Sequence, residues 1–355
     1  MTSSVSFKES SSQYSAIFTA QPALVTEKRE SDYGQAENMY KSGLPGRKQE
    51  LEQQAASMQK RIEEHHLHSL LRENMKEIHK EAKQNTFLND LINGNMVCSK
   101  AYVVYLCNLF WLHSALEVAQ RQILTRYGEG FFVFPLLYRS ERLLADIKLW
   151  SFVNSTAPKF ADQDLHSTEF LENVKHFVQP CTFECVAEME ALTREDPILI
   201  IGFLFALYGT ILSGGQFVKD GVKKAFLDRL HTAIAEYQED EAKKSKVESA
   251  TIHVVDEEDT ALKAEIMQKV IEDEKEIERY AAESVSFFSF DPDFEIPIFK
   301  QKWHCSLDQI PEQLHLDVEA RKQFEKKMIS GCEAGIRIVL NLIASLEENL
   351  KKGVI

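Results

Sequence analysis

From Ile198 to Leu212 no residue carries a charge. A stretch of about 15 such residues is longer than a strand and shorter than the roughly 18 to 20 that cross a bilayer, so the chain must build its core around a buried helix. Glycines punctuate the end of this stretch: Phe205 to Gln216 contains Gly209, Gly214 and Gly215. Each glycine inside a helix costs about 1 kcal/mol relative to alanine, so the cluster requires a use. Two uses are open. Glycine lets a neighbouring helix approach or lets this one bend, and it leaves bare backbone against which a flat ligand can lie.

Elsewhere, apolar residues recur three and four apart. Leu51, Ala55, Met58 and Ile62 begin the pattern, and Leu71, Met75, Ile78 and Ala82 resume it. Helices are expected over Tyr102 to Arg121, Arg139 to Phe152, Phe170 to Phe177, Cys185 to Thr193, Pro197 to Val218, Val222 to Tyr237 and Val318 to Leu350. Asp196-Pro197 reads as a helix start, an N-cap followed by proline at the first helical position. No run of alternating β-branched residues competes, so the fold class is all-α, one multi-helical domain over 47–350. Residues 1–46, rich in Ser, Gln and Glu, read as a disordered tail. The acidic stretch at about 238–283 reads as a solvated insertion, with an exposed helix from Ala261 to Tyr280.

Asp and Glu number 55 against 41 Lys and Arg, a net charge of -14. Such a chain does not hold nucleic acid or anionic membrane through its bulk field, and an anionic ligand must meet a local basic patch. The six cysteines form neither a disulfide framework nor paired Cys-x-x-Cys zinc ligands, which implies reduced thiols. No membrane span is expected, nor a secretory leader; a soluble, cytoplasmic protein is the simplest account, with organelle targeting left open.

His79 carries the most chemical information. On a helix Arg72, Lys76, His79 and Lys83 share one face, beside Met75 and Ile78. An imidazole flanked by cations and backed by apolar side chains suits an iron porphyrin, whose metal needs an axial ligand and whose propionates need Lys or Arg. The plain alternative is a charged surface helix with an incidental histidine. His65, His66 and His68 lie in a polar stretch and read as solvated. No serine-nucleophile elbow, P-loop or dinucleotide fingerprint is present.

Leu71 to Leu91, with its Lys-Glu-x-His run and Phe87-Leu88, resembles the first helix of the heme oxygenase family. Leu212-Ser213-Gly214-Gly215-Gln216 resembles that family's distal-helix motif. Ala115-Leu116-Glu117, Phe134-Pro135, Asp146 to Trp150, Phe288-Ser289-Phe290 and Phe299-Lys300-Gln301 are further matches. The resemblance implies a heme-oxygenase-like domain with heme, as substrate and cofactor, between a proximal and a distal helix. It implies His79 as ligand to the heme iron, Arg72, Lys76 and Lys300 at the heme edge with Phe205 and His304 as further cofactor-binding positions, and a distal catalytic set of Thr210, Ser213, Gly214 and Gly215 in which the two glycines give close approach. The implied activity is oxidation of heme to biliverdin, carbon monoxide and ferrous iron, with electrons from a reductase partner.

The chain also departs from that pattern. Thr210 and Ile211 stand where the family has a Gly-Asp pair that organises a distal water network, and isoleucine cannot relay a proton. Lys83 replaces a glutamate, Phe205 a distal tyrosine and His304 an arginine. Thr210 is the residue left to hold a water. Two further readings follow: a catalytically impaired heme carrier or sensor, and an interaction protein on the same fold.

Overall fold

The computed structural model describes residues 66–96, 98–128, 134–154, 165, 167–247, 267–271 and 273–353. By its contacts the chain divides into two units, and of the smaller, Met1–Ala56 with Phe134–Leu137, the described part holds one 3-10 turn, Pro135–Leu137. The remaining described residues belong to the larger unit, Ser57–Val133 with Tyr138–Ile355. The expected tail at 1–46, the helix expected to begin near Leu51 and the middle of the acidic stretch lie outside the described residues.

In chain order the helices are α1 (His66–Asn74), α2 (Lys76–Lys83), α3 (Thr86–Asn93), α4 (Ser99–Tyr127), α5 (Ser140–Phe152) and α6 (Thr168–Lys175). They continue as α7 (Pro180–Glu195), α8 (Ile201–Ser213), α9 (Gly215–Val247), α10 (Glu274–Glu283), α11 (Ile296–Gln313) and α12 (Val318–Lys351). No strand occurs among the described residues, so the fold is all-α as expected.

α8 lies in the centre of the core and packs most extensively on α12. Their backbones nearly touch. A Cβ added at Gly202 would lie 2.6 Å from the Met328 carbonyl oxygen, and one at Gly335 2.9 Å from Ala206 Cβ. Asp196 caps the 3-10 turn Pro197–Ile200, its Oδ1 accepting from the Ile198 amide at 3.2 Å, and this turn delivers the chain into α8. The single helix expected from Pro197 to Val218 is therefore three pieces. After Ser213 the chain bends by 57° before continuing as α9. A Ser-Gly-Gly sequence is where such a kink forms, because the missing side chains leave the helix ladder open to insertion. Gln216 fills that opening: its Nε2 donates to the Ile211 carbonyl at 3.3 Å and to the Phe288 carbonyl at 3.0 Å.

Two buried carboxylates position the elements around this bend. Glu117 on α4 accepts from the Arg139 and Ser140 amides at 2.7 and 2.8 Å and from Ser140 Oγ at 2.6 Å, fixing the start of α5. Asp146 on α5 accepts from the Ser286 and Phe287 amides at 3.0 and 2.9 Å, and Trp150 Nε1 donates to the Ser284 carbonyl at 3.0 Å. Together they hold the 3-10 turn Ser286–Phe288 against the bend. The acidic stretch departs from its expected reading here. Met267, Val270 and Ala281 are buried, so its second half anchors to the core, and α10 packs on both α5 and α9. The apolar face at Ala281 and Val285 was hidden in the sequence by the surrounding charge.

The expectation that no stretch is long and apolar enough to span a membrane does not hold by length and composition alone. Ser99–Tyr127 and Val318–Lys351 both meet that criterion, and in this fold 83% of the apolar stretch of the first is buried inside the protein. A run-length reading missed them because isolated polar residues such as Asn108 and His113 interrupt α4. All six cysteines are free thiols, as expected.

His113 on α4 is fully enclosed, its ring 5.4 Å from Tyr208 and 5.3 Å from Phe287. Burial, aided by the Arg139 charge, pushes its pKa down to about 3. The unfolded chain takes up a proton at this side chain below about pH 6.5 while the folded chain does not, so the contribution to stability is whole above that pH and falls with acid. The loss amounts to about 1.4 kcal/mol per pH unit, or about 2 kcal/mol at pH 5. Urea midpoints at pH 7 and pH 5 should show a steeper acid loss in the wild type than in His113→Phe.

Candidate functional site

α1 and α2 form one nearly continuous rod. Leu71, Met75 and Ile78 are buried on its inner face, against α12 and the neighbouring helices. His79 sits on the outer part of α2 with its ring exposed. The Met75 carbonyl accepts from both the His79 amide at 3.0 Å and from Nδ1 at 2.8 Å. A carbonyl only accepts, so Nδ1 carries a proton, and in the neutral ring this leaves the lone pair on Nε2. That is the tautomer a metal-binding imidazole adopts, with the second nitrogen held by a backbone carbonyl.

One turn toward the N-terminus, the same rod forms a wall of a cleft of about 730 Å³. Arg72 and Lys76 line it from α1 and α2, and Lys300 and His304 line it from α11. Of the five residues expected to bind the cofactor, Arg72, Lys76, Lys300 and His304 share one cleft. Lys76 is ion-paired with exposed Glu73, which also lines it. Lys300 Nζ donates to Ser213 Oγ at 2.8 Å, joining the cleft to the end of α8. Partial burial lowers the Lys300 pKa. Phe205 stands behind this wall, stacked on Trp303 at 5.0 Å, so it packs the cleft and is not one of its lining residues.

α8 presents two faces. Thr210, Ser213 and Gly214 are exposed, whereas Tyr208, Ile211 and Leu212 point into the core. The glycines divide likewise. A Cβ at Gly214 would meet only the Thr210 carbonyl oxygen, at 3.4 Å, so this glycine is open to an approaching ligand. At Gly215 it would lie 3.0 Å from the Phe288 ring, and at Gly209 3.4 Å from the Trp303 ring. The clearance expected over Gly215 is therefore filled by an aromatic side chain. Thr210 Oγ1 donates to the Ala206 carbonyl at 2.8 Å, which leaves only its lone pairs for a water. Ile211 is 4% exposed, and the residue faces the apolar core.

His68 corrects the sequence reading. It is not a solvated histidine: its ring stacks on His304 with centroids 3.8 Å apart and meets Phe205 edge-on at 6.0 Å. The signal was available in the spacing, since His68, Arg72 and His79 are four and seven apart on one helical face. Three elements distant in sequence, α1–α2, the end of α8 and α11, thus converge on a cationic cleft next to an imidazole whose Nε2 is free. No group of three or more potential protein metal ligands occurs among the described residues. An iron porphyrin fits these residues: one axial nitrogen, cations for its carboxylates and an open glycine.

Comparisons with known proteins bear on the family and the fold. Heme oxygenase 2 of Synechocystis is 25% identical over 157 residues, which are 44% of this chain and 55% of that protein. The chain thus spans about half the length of this curated relative. Among solved structures, heme oxygenase-1 of Synechocystis in complex with heme superposes with a TM-score of 0.51 at 16% identity, covering 81% of this chain and 97% of that one. The heme oxygenase of Leptospira interrogans has a TM-score of 0.48 at 17% identity, covering 77% and 98%. The profile of the heme oxygenase family matches residues 65–326, from the start of α1 into α12, and takes in every residue of the site. On this match the chain belongs to the heme oxygenase family.

Proposed function

We propose that this protein binds heme through His79 and opens it oxidatively to biliverdin, carbon monoxide and ferrous iron, with electrons from a reductase partner. The observation that carries this reading is the His79 ring, tied through Nδ1 to Met75 and free at Nε2, on the helical face that also bears Arg72 and Lys76. When bound, the heme iron supplies the oxygen chemistry, as substrate and cofactor at once. The chain's own residues bind and orient. His79 would hold the iron, and Arg72, Lys76, Lys300 and His304 would hold the carboxylate edge. Ser213, held by Lys300, and Gly214 would border the opposite face, with Gly215 seating Phe288 behind it. Thr210 is the hydroxyl on that face with lone pairs left for a water.

A second reading, a heme carrier or sensor, is favoured by one observation. Ile211, at the position where the family resemblance implies a distal aspartate, is buried among apolar residues and can move no proton. Aerobic incubation of the purified protein with hemin and a reductase system decides between the two. The oxygenase reading expects a bilin absorbance band to rise as the Soret band decays. A Soret band that persists, with no bilin formed, would leave the carrier.

A further inference from the structure

The cleft contains a pair that a simple carboxylate clamp does not need. His68 of α1 and His304 of α11 stack at 3.8 Å and 24°, with Phe205 of α8 beside both and Trp303 flanking His304. His68 Nδ1 is buried without a hydrogen-bond partner, and the His68 amide donates to Asp308 Oδ1 at 3.0 Å. The charges acting on the two rings come from α1 and α11: Arg72, Lys300 and Asp308. Lys76 and Glu73 line the same cleft, and α8 faces the pair with the uncharged Phe205 ring. Burial and the neighbouring cations disfavour the charged form of both rings, His304 being pushed down to about 3 and His68 lowered against the opposing pull of Asp308.

A ligand edge bearing two carboxylates reverses that balance. Its negative charge offsets Arg72, Lys76 and Lys300 and favours an imidazolium in the same dry space. We propose that His68 and His304 are the positioning residues that read the ligand's charge, taking up a proton from solvent when a dicarboxylate edge enters the cleft. One N–H bond forms on an imidazole as one O–H bond of a solvent hydronium breaks, leaving water, and no electron is transferred. A guanidinium at position 304 would carry its charge unconditionally; the imidazole pair makes that charge depend on an anionic ligand. The inference rests on the heme reading above.

The test is hemin titration of the full chain, followed by the Soret band at pH 6.5 and pH 8.0, for wild type, His304→Arg, His304→Gln and His68→Phe. Proton uptake strengthens binding in acid. The axial histidine works in the opposite sense, since it must be unprotonated to bind a metal. The variants therefore isolate the pair. The ratio of affinities at pH 6.5 and pH 8.0 is expected to be about tenfold larger in wild type than in His304→Arg or His304→Gln. His68→Phe should lie between them, and hemin dimethyl ester, whose carboxylates are blocked, should show no such difference. Equal ratios in wild type and the folded variants, or the same rise with the ester, would overturn the proposal. Should one substitution at position 304 prevent folding, the other supplies the comparison. Hemin binding with equal ratios leaves the heme reading intact, whereas absence of hemin binding at either pH removes both.

Discussion

Alanine at position 79 is expected to abolish tight hemin binding while leaving the fold intact. Even outer partners of a metal ligand carry about 10- to 100-fold in affinity, and the ligand itself carries at least as much. The effect on folding should be small for a structural reason. The His79 ring is exposed, and its hydrogen bond is made within its own rod, to Met75, so its removal leaves no distant group unsatisfied. Stability should change by no more than about 0.5 kcal/mol, as for other surface substitutions. Hemin titration with Soret detection measures the first quantity and urea denaturation of the apoprotein the second. A His79→Ala protein that still gives a wild-type Soret band would place the iron on another residue.

The second large effect lies at the crossing of α3 and α9. α9 crosses the end of α3 at Gly221, where an added Cβ would overlap the carbonyl oxygens of Leu91 and Ile92. Those acceptors belong to backbone, and the chain just after them turns through Gly94, whose φ of +68° belongs to the left-handed region that favours glycine. Neither side can give way cheaply. Gly221→Ala should therefore destabilise the protein by about 3 kcal/mol, at the upper end of ordinary overpacking. Gly214→Ala, by contrast, meets only the 3.4 Å contact with Thr210 and should be near neutral for folding. A pair of urea midpoints compares the two, and equal midpoints would contradict the close crossing of α3 and α9.

Much of this architecture was legible because it is local. The 3.6-residue period located α1–α2, α4, α5, α7 and α12 without knowledge of their partners, since an amphipathic or fully apolar helix declares itself within a few turns. The common face of Arg72, Lys76 and His79 followed from the same geometry, and Lys300 and His304 were identified through a family resemblance. What resisted was any decision made by a contact. Gly209, Gly214 and Gly215 look equivalent along the chain, yet Trp303 and Phe288, both distant in sequence, occupy the space at two of them. The bend after Ser213 needed Gln216 and Phe288 to stabilise it, and the acidic stretch concealed Met267 and Val270 because their burial is a matter of tertiary packing.

The sequence by itself determined the helical class, the family and the face of α1–α2 that carries Arg72, Lys76 and His79, because each is written in spacing or in a run of residues. Tertiary structure decided which residues meet: Arg72, Lys76, Lys300 and His304 on one cleft, Lys300 on Ser213, and His68 on His304. It also decided that Ile211 points into the core. Side-chain direction on a buried helix is set by which face finds a partner, and α12, together with Gln120 and His113 of α4 against Tyr208, sets that face for α8.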